Sequence, residues 1–362
     1  MFEPVLTIHS RDRDYPVYLQ SGLLSQFEII LQSQKYSTLF LLTDSLMASL
    51  YSPFLESLAQ SKKNRIQVIP AGEKNKSWES AQLLFRQMLA FQLDRKSLFV
   101  AFGGGVISDL GGYCASQYLR GISYVLFPTT LLAQVDACVG GKVAINFEQT
   151  KNLLGHIYPP YQVWIDPDFI QTLPPHEIRS GLGEILKYGM IGPFFLLEQI
   201  LSIPWAQWKE KYLLKTIQVC LETKKNIVEQ DEYEEGIRAK LNFGHTLGHA
   251  LESAPHFSWT HGEAVALGML LMTQLAWERK YLKEVEVLNQ LKRCLQFLNF
   301  PLQMTVSGKE LQKQLSRDKK NVGKQLNVVL PIGKGEVQTH CLMDVEDLLN
   351  WISSHPEYIR LT

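Results

Sequence analysis

Short apolar runs punctuate the first half of the chain, and each is closed by polar or glycine-rich residues. Residues 38–43 end at Asp44, 65–69 at Pro70-Ala-Gly-Glu73, 97–102 at Gly103 to Gly105, and 124–127 at Pro128-Thr-Thr130. Helix-like stretches separate them. This arrangement predicts a mostly parallel sheet covered by helices, since strands buried on both faces read as near-continuous apolar runs. In such sheets ligands bind at the carboxyl ends of the strands. Asp44, Glu73, Gly103 to Gly105, Thr129 and Thr130 all lie at such ends.

Prolines then gather at 159–160, 167 and 174–175. Beyond them the pattern turns helical, over 177–190, 205–228, 245–253, 263–280 and 285–298, with a late strand at 324–332 and a final helix at 345–353. The expected organisation is an α/β domain over residues 1–175 followed by a mostly α-helical domain over 176–362. A length of 362 residues suits about two domains.

Charge narrows the function classes. Lys plus Arg equals Asp plus Glu at 36 each, so there is no global basic field for nucleic acid or a membrane surface. An anionic ligand must be held by local cations. The N-terminus lacks the layout of a signal peptide, and no apolar run reaches the roughly 18 residues of a membrane helix, so a cytoplasmic location is expected. The five cysteines are scattered and form no Cys-x-x-Cys pair, which argues for reduced thiols and against a cysteine zinc site.

Chemistry concentrates in the second half. His245, His249 and His261 fall within seventeen residues. Neutral imidazole is a common zinc ligand, and His245 and His249, four apart, share one helix face. Spacing alone selects that pair and leaves the third ligand open; the plainer reading is a set of hydrogen-bonded core histidines. His261-Gly-Glu263 is not His-Glu-x-x-His, so a zinc-peptidase reading is poor. Glu184 and Lys187 lie one turn apart beside the stripe of Ile178, Leu182, Ile185 and Leu186, and on their own read as a surface ion pair worth about 0.3 kcal/mol. In the first half, Gly103 to Asp109 follows a strand and opens a helix, a place where backbone N–H groups can approach a pyrophosphate. Its spacing is not Gly-x-Gly-x-x-Gly, and a tight turn without a ligand is an equal reading. Lys142 and Lys151-Asn152 flank a glycine turn, as phosphate-binding or merely solvated lysines.

Taken together, these segments resemble the 3-dehydroquinate synthase family, within the sugar phosphate cyclases. The resemblance rests on Gly103 to Gly121, Phe127 to Val143, Lys151-Asn152, Ser180 to Gly189, Asp231, Arg238 to Glu252 and His261-Gly-Glu263, in family order from about Asp44 to the 318–320 segment. It implies a Rossmann-like NAD-binding α/β domain followed by a helical metal-binding domain, in a homodimer. It further implies zinc or cobalt held by Glu184, His245 and His261, with His249 on the substrate side. NAD contacts are implied at Asp44, Glu73, Lys76, Gly104, Gly105, Val106, Asp109, Thr129, Thr130, Lys142, Lys151, Phe169 and Thr172. Substrate contacts are implied at Asp136, Lys142, Asn152, Lys187, Asn242, His249 and Lys319, with Lys224 and Arg238 for a carboxylate. Arg120 is implied to reach the phosphate in the neighbouring subunit.

The activity so implied is that of a carbon–oxygen lyase. It converts 3-deoxy-D-arabino-heptulosonate 7-phosphate to 3-dehydroquinate and phosphate, by NAD-mediated oxidation, phosphate elimination, re-reduction, ring opening and aldol closure. The alternatives are a cyclase making an inosose or a valiolone, whose substrates lack the carboxylate, and a related metal-dependent polyol dehydrogenase. Three positions depart from the family pattern: Ser108 and Gly183, where Gly and Ala are frequent, and the run after Lys142.

Overall fold

The computed structural model describes residues 3–27, 35–148, 150–253, 259–316 and 325–362, in two compact units, Met1–Leu173 and Pro174–Thr362. The first unit holds strands β1 (Leu6–Ile8), β2 (Tyr15–Leu19), β3 (Leu39–Asp44), β4 (Asn64–Ile69), β5 (Leu98–Gly103), β6 (Tyr124–Pro128), β7 (Lys142–Phe147), β8 (Thr150–Ile157) and β9 (Gln162–Ile165). Seven of them form one sheet in the order β1-β2-β9-β6-β5-β3-β4, and β7 and β8 pair separately as an antiparallel hairpin. Within the large sheet only β1–β2 is antiparallel. The four apolar runs become β3 to β6. All residues of β5 and β6 are buried, as an interior strand of a two-sided sheet requires.

Strands β1, β2 and β9 and the hairpin escape the sequence pattern. β2 contains Pro16, which reads as a strand breaker; it is tolerated because β9 pairs only with Val17 to Leu19. Helices α1 (Ser45–Leu50), α2 (Ser52–Ala59), α3 (Trp78–Ala90) and α4 (Gly105–Gln117) complete the described part of this unit's α-layers. Helix α4 lies against both the sheet and the hairpin because glycines face each. A Cβ on Gly111 would stand 3.0 Å from Phe99 and Ala101, and one on Gly112 would stand 2.3 Å from Val143 of β7.

The second unit is mainly helical: α5 (Pro175–Ile191), α6 (Phe195–Ser202), α7 (Trp205–Val228), α8 (His245–Glu252), α9 (His261–Glu278), α10 (Val285–Phe297), α11 (Gly308–Ser316) and α12 (Val345–Ser353). Short strands β10 (Met304–Val306) and β13 (Ile359–Leu361) pair in parallel, and β11 (Gln325–Gly333) and β12 (Glu336–Asp344) form a hairpin. Helix α9 is the central member. It is buried nearly all round, as Ala264, Val265, Leu267, Met269, Leu270, Leu271 and Leu275 show, and it packs against α5, α8, α10 and β11.

The C-terminal helix is fastened to the end of α9 by a polar cluster. Trp351 Nε1 donates to Glu278 Oε2 at 2.7 Å, His355 Nε2 lies 3.0 Å from Glu278 Oε1, and Arg279 pairs with Asp347 at 2.9 Å. Burial disfavours a charged His355, but the Trp351 carbonyl and the Glu278 carboxylate outweigh it and raise the His355 pKa. A raised histidine pKa stabilises the fold fully below the unfolded value of about 6.5, and that contribution fades as pH climbs through the folded pKa. The melting-temperature deficit of His355→Ala should therefore be larger at pH 6 than at pH 9 in thermal scans. An equal deficit at both would assign His355 a packing role only.

Candidate functional site

The helical unit gathers three histidines from two helices. His245 opens α8, His249 follows one turn later, and His261 opens α9; their ligand nitrogens all lie within 4.8 Å of one another. His249 is exposed, whereas His245 is 9% exposed. The carboxylate of Glu184, on α5, enters the same cluster, with Oε1 3.6 Å from His245 Nε2 and 3.4 Å from His261 Nε2. Those gaps are long for hydrogen bonds. They match instead the edge of a coordination tetrahedron, since two ligands about 2.1 Å from a zinc ion stand about 3.4 Å apart. The donor set, two imidazoles and a carboxylate with a third imidazole nearby, fits a divalent transition metal.

This corrects the surface reading of Glu184 and Lys187. Both are buried, at 1% and 2% exposed, and they pair directly with each other. Helix α5 packs against α9, α6 and α7, so the face beside the apolar stripe is covered as well. A buried ion pair is costly to desolvate and is weak evidence for stability, so its presence points to a role at the site.

Glycines set the approach of the three helices. A Cβ on Gly183 would fall 2.5 Å from the Gly262 carbonyl oxygen, and one on Gly262 would fall 2.0 Å from that of Ser180. On the other side, a Cβ on Gly268 would meet the Gly244 carbonyl oxygen at 2.2 Å, and Gly244 itself has a φ of +76°. Thr260 and Glu263 form a capping box at the start of α9, and Arg179 Nε grips Glu263 Oε1 at 2.8 Å. The Glu of His-Gly-Glu thus orients the helix that presents His261. The Thr-x-x-Glu pattern at 260–263 could have been read as such from the sequence.

Two partners fix the rings. His245 Nδ1 lies 3.1 Å from the Phe243 carbonyl oxygen, and His261 Nδ1 lies 3.2 Å from Glu252 Oε2. Glu252 was not among the expected residues, although it lies seven residues after His245 on α8 and so shares its face. Burial lowers the proton affinity of His261, but Glu184 and Glu252 outweigh it and lift its pKa to about 10. A metal bound here has to displace that proton, so binding releases it.

The same unit buries three cations. Lys187, Lys224 on α7 and Arg238 are each at most 6% exposed. Arg238 sits in a short helical turn, Ile237–Asn242, that leads into α8. Asp231 shapes the preceding loop by accepting the backbone N–H groups of Glu235, Gly236 and Arg238. Asn242 Nδ2 donates to Glu234 Oε1. Lys319 lies outside the described residues.

In the α/β unit, Asp44, Glu73, Gly104, Gly105, Thr129 and Thr130 follow the carboxyl ends of β3, β4, β5 and β6, which are neighbours in the sheet. Asp44 Oδ1 caps α1 by accepting Leu46 and Met47 N–H. Gly104 is the N-cap of α4 and offers no side-chain cap, and a helix start of that kind suits an anion. A Cβ on Gly104 would stand 2.8 Å from Thr130 Cγ2, whereas beside Gly105 the space is open. Val106 follows in the first turn. The cradle fits a dinucleotide pyrophosphate. Lys76 pairs with Asp109 at 3.1 Å and Glu73 at 3.3 Å; burial opposes its charge, but these carboxylates outweigh it and raise its pKa. Phe169 is buried against Tyr51, Phe102 and Phe127, and Thr172 caps the same turn by donating to the Phe169 carbonyl at 3.0 Å. Asp136 lies in a π-helical turn, Ala133–Ala137. Lys142, Lys151 and Asn152 are exposed on the β7–β8 hairpin.

These features define a nucleotide- and metal-dependent enzyme built from an α/β unit and a helical one. Family models described as 3-dehydroquinate synthase N-terminal and C-terminal match residues 66–180 and 181–321. The 3-dehydroquinate synthase of Dictyoglomus turgidum is 38% identical over 357 residues, covering 98% of this chain and 99% of its own. That of a Thermoanaerobacter species is 39% identical over 353 residues, covering 95% and 98%. The chain belongs to the 3-dehydroquinate synthase family. Among solved structures, the 2-epi-5-epi-valiolone synthase of Streptomyces hygroscopicus subsp. jinggangensis, with NAD+ and Zn2+ bound, aligns with a TM-score of 0.86 at 27% identity, covering 96% of this chain and 98% of that one.

Glu252 gives this site a direct test. Glu252→Gln is expected to weaken zinc binding about 10- to 100-fold. Competition with a chromophoric chelator measures it; an unchanged affinity would remove Glu252 from the site.

Proposed function

We propose that this chain converts 3-deoxy-D-arabino-heptulosonate 7-phosphate to 3-dehydroquinate and phosphate, with NAD recycled and a divalent zinc or cobalt ion bound. The observation that carries this reading is family membership over nearly the whole chain, combined with the buried cations Lys187, Lys224 and Arg238. Lys187 pairs with Glu184 in this structure, and three cations buried in one unit suit an acidic ligand. A substrate bearing both a carboxylate and a phosphate is of that kind.

In this reading Glu184, His245 and His261 hold the metal, and His249, exposed at its rim, faces substrate. When bound, NAD carries hydride from the substrate and back, and the metal acts as a Lewis acid toward substrate oxygens. Lys224 and Arg238 bind the carboxylate. Asn242 and Lys187 orient hydroxyl groups, and Lys187, paired with Glu184 in this structure, would be free to turn to substrate with that carboxylate on the metal. Lys142, Lys151, Asn152 and Asp136 serve the phosphate and nicotinamide side. Asp44, Glu73, Lys76, Gly104, Gly105, Val106, Asp109, Thr129, Thr130, Phe169 and Thr172 hold NAD. The chain's share in the ring opening and aldol closure is orientation of a reactive intermediate.

A homodimer is part of the same reading, with Arg120 offered to the neighbouring subunit's phosphate. Support comes from the Tyr118–Arg120 turn, where Leu119 and Arg120 are held at φ of +52° and +64°, and both side chains are exposed. Such conformations cost on the order of 1 kcal/mol or more each and persist where a role maintains them. No helix among the described residues is long and apolar enough to cross a membrane.

The test is phosphate release from the heptulosonate phosphate with catalytic NAD and added zinc, with sedoheptulose 7-phosphate and glucose 6-phosphate as controls. Turnover of the heptulosonate phosphate alone, without NADH accumulation, is expected. Arg238→Ala should raise KM at least about tenfold, the cost of losing a charged hydrogen bond, while zinc content stays intact. Turnover of sedoheptulose 7-phosphate would shift the assignment to a valiolone-type cyclase, and net NADH formation would shift it to a dehydrogenase.

A further inference from the structure

The β7–β8 hairpin carries Lys142, Lys151 and Asn152, and Asn146 ties it to the segment between β4 and α3. Three hydrogen bonds converge there. The Asn146 backbone N–H donates to the Lys76 carbonyl at 2.8 Å. Its side-chain Nδ2 donates to Glu73 Oε1 at 2.9 Å, and its Oδ1 accepts the Asn152 backbone N–H at 2.9 Å. The residue sits where the hairpin register shifts between Ile145 and Phe147, and it also bridges to Ser77. Asn152 is held at a φ of +51°, a conformation that asparagine adopts more readily than most residues.

The orientation of this amide is dictated by its partners. A carboxylate only accepts and a backbone N–H only donates, so Nδ2 must face Glu73 and Oδ1 must face Asn152. Lys76 Nζ reaches the same oxygen, Glu73 Oε1, at 3.3 Å. Both grips fall on Oε1.

We propose that Asn146 is a positioning residue that sets the Glu73 carboxylate and the Asn152 backbone in one register, and so links the NAD side of the α/β unit to its phosphate side. The inference rests on the reading of Glu73 as an NAD contact and of Asn152 as a substrate contact. A residue able to donate on one side and accept on the other is required, which makes the two halves separable by substitution. Asn146→Asp keeps the acceptor for Asn152 and replaces the donor toward Glu73 with a second carboxylate. Asn146→Ala removes both.

The experiment uses the zinc-loaded enzyme. NADH affinity is measured by fluorescence titration, and KM for the heptulosonate phosphate is measured at saturating NAD. Asn146→Asp should weaken NADH binding about tenfold or more and leave KM within about twofold; Asn146→Ala should worsen both. A merely structural role would move both quantities together in the Asp variant, along with the melting temperature. Glu73→Ala serves as the reference. If it weakens NADH binding and Asn146→Asp does not, the link is refuted. An unchanged KM in Asn146→Ala refutes the Asn152 arm. If Glu73→Ala itself leaves NADH binding intact, the assignment of Glu73 is at fault and the proposal falls with it.

Discussion

Backbone-to-backbone contact between helices is the constraint on which the metal cluster depends. Each residue proposed as a ligand is the chain neighbour of a glycine at a helix contact: Glu184 beside Gly183, His261 beside Gly262, and His245 beside Gly244. At these points no side chain intervenes between one backbone and the next. The positions of the three Cα atoms are therefore fixed by main-chain packing, which is stiffer than side-chain packing. Metal ligation tolerates errors of only a few tenths of an ångström. Small residues at the contacts and large apolar residues along the rest of α9 meet both demands.

A second consequence is electrostatic. The close contacts exclude water from Glu184 and Lys187, so the two charges must answer each other until something better arrives. The Glu252 carboxylate behind His261 adds fixed negative charge nearby, whereas the charge of Glu263 in the capping box is balanced by Arg179. Such a cluster favours a bound cation, while Lys224 and Arg238 favour an anion beside it. The two preferences together describe a ternary arrangement of protein, metal and acidic substrate.

How much of this the sequence shows depends on the range of the interaction involved. Strands β3 to β6 and the helix 205–228 are legible because burial and periodicity are local signals. The strand β2 is not, since Pro16 is excused only by a partner strand nearly 150 residues away. Similarly, Glu184 and Lys187 look like a surface pair until α9 covers them, because nothing local tells a solvated face from one covered by a distant helix. The spacing rule selects His245 and His249; the carboxylate between His245 and His261 comes from some sixty residues upstream and is supplied by the family resemblance. Glu263 is legible as the end of a capping box, but Glu252 and Asn146 act through other residues, and no motif-based reading of chemistry would single them out.

The most direct test of the account is where a metal binds. In crystals soaked with zinc and measured at the zinc absorption edge, the anomalous peak should lie about 2.0–2.2 Å from one Glu184 carboxylate oxygen and one nitrogen each of His245 and His261, with Lys187 withdrawn from Glu184. A peak bound by His245, His249 and His261, with Glu184 still paired to Lys187, would contradict it.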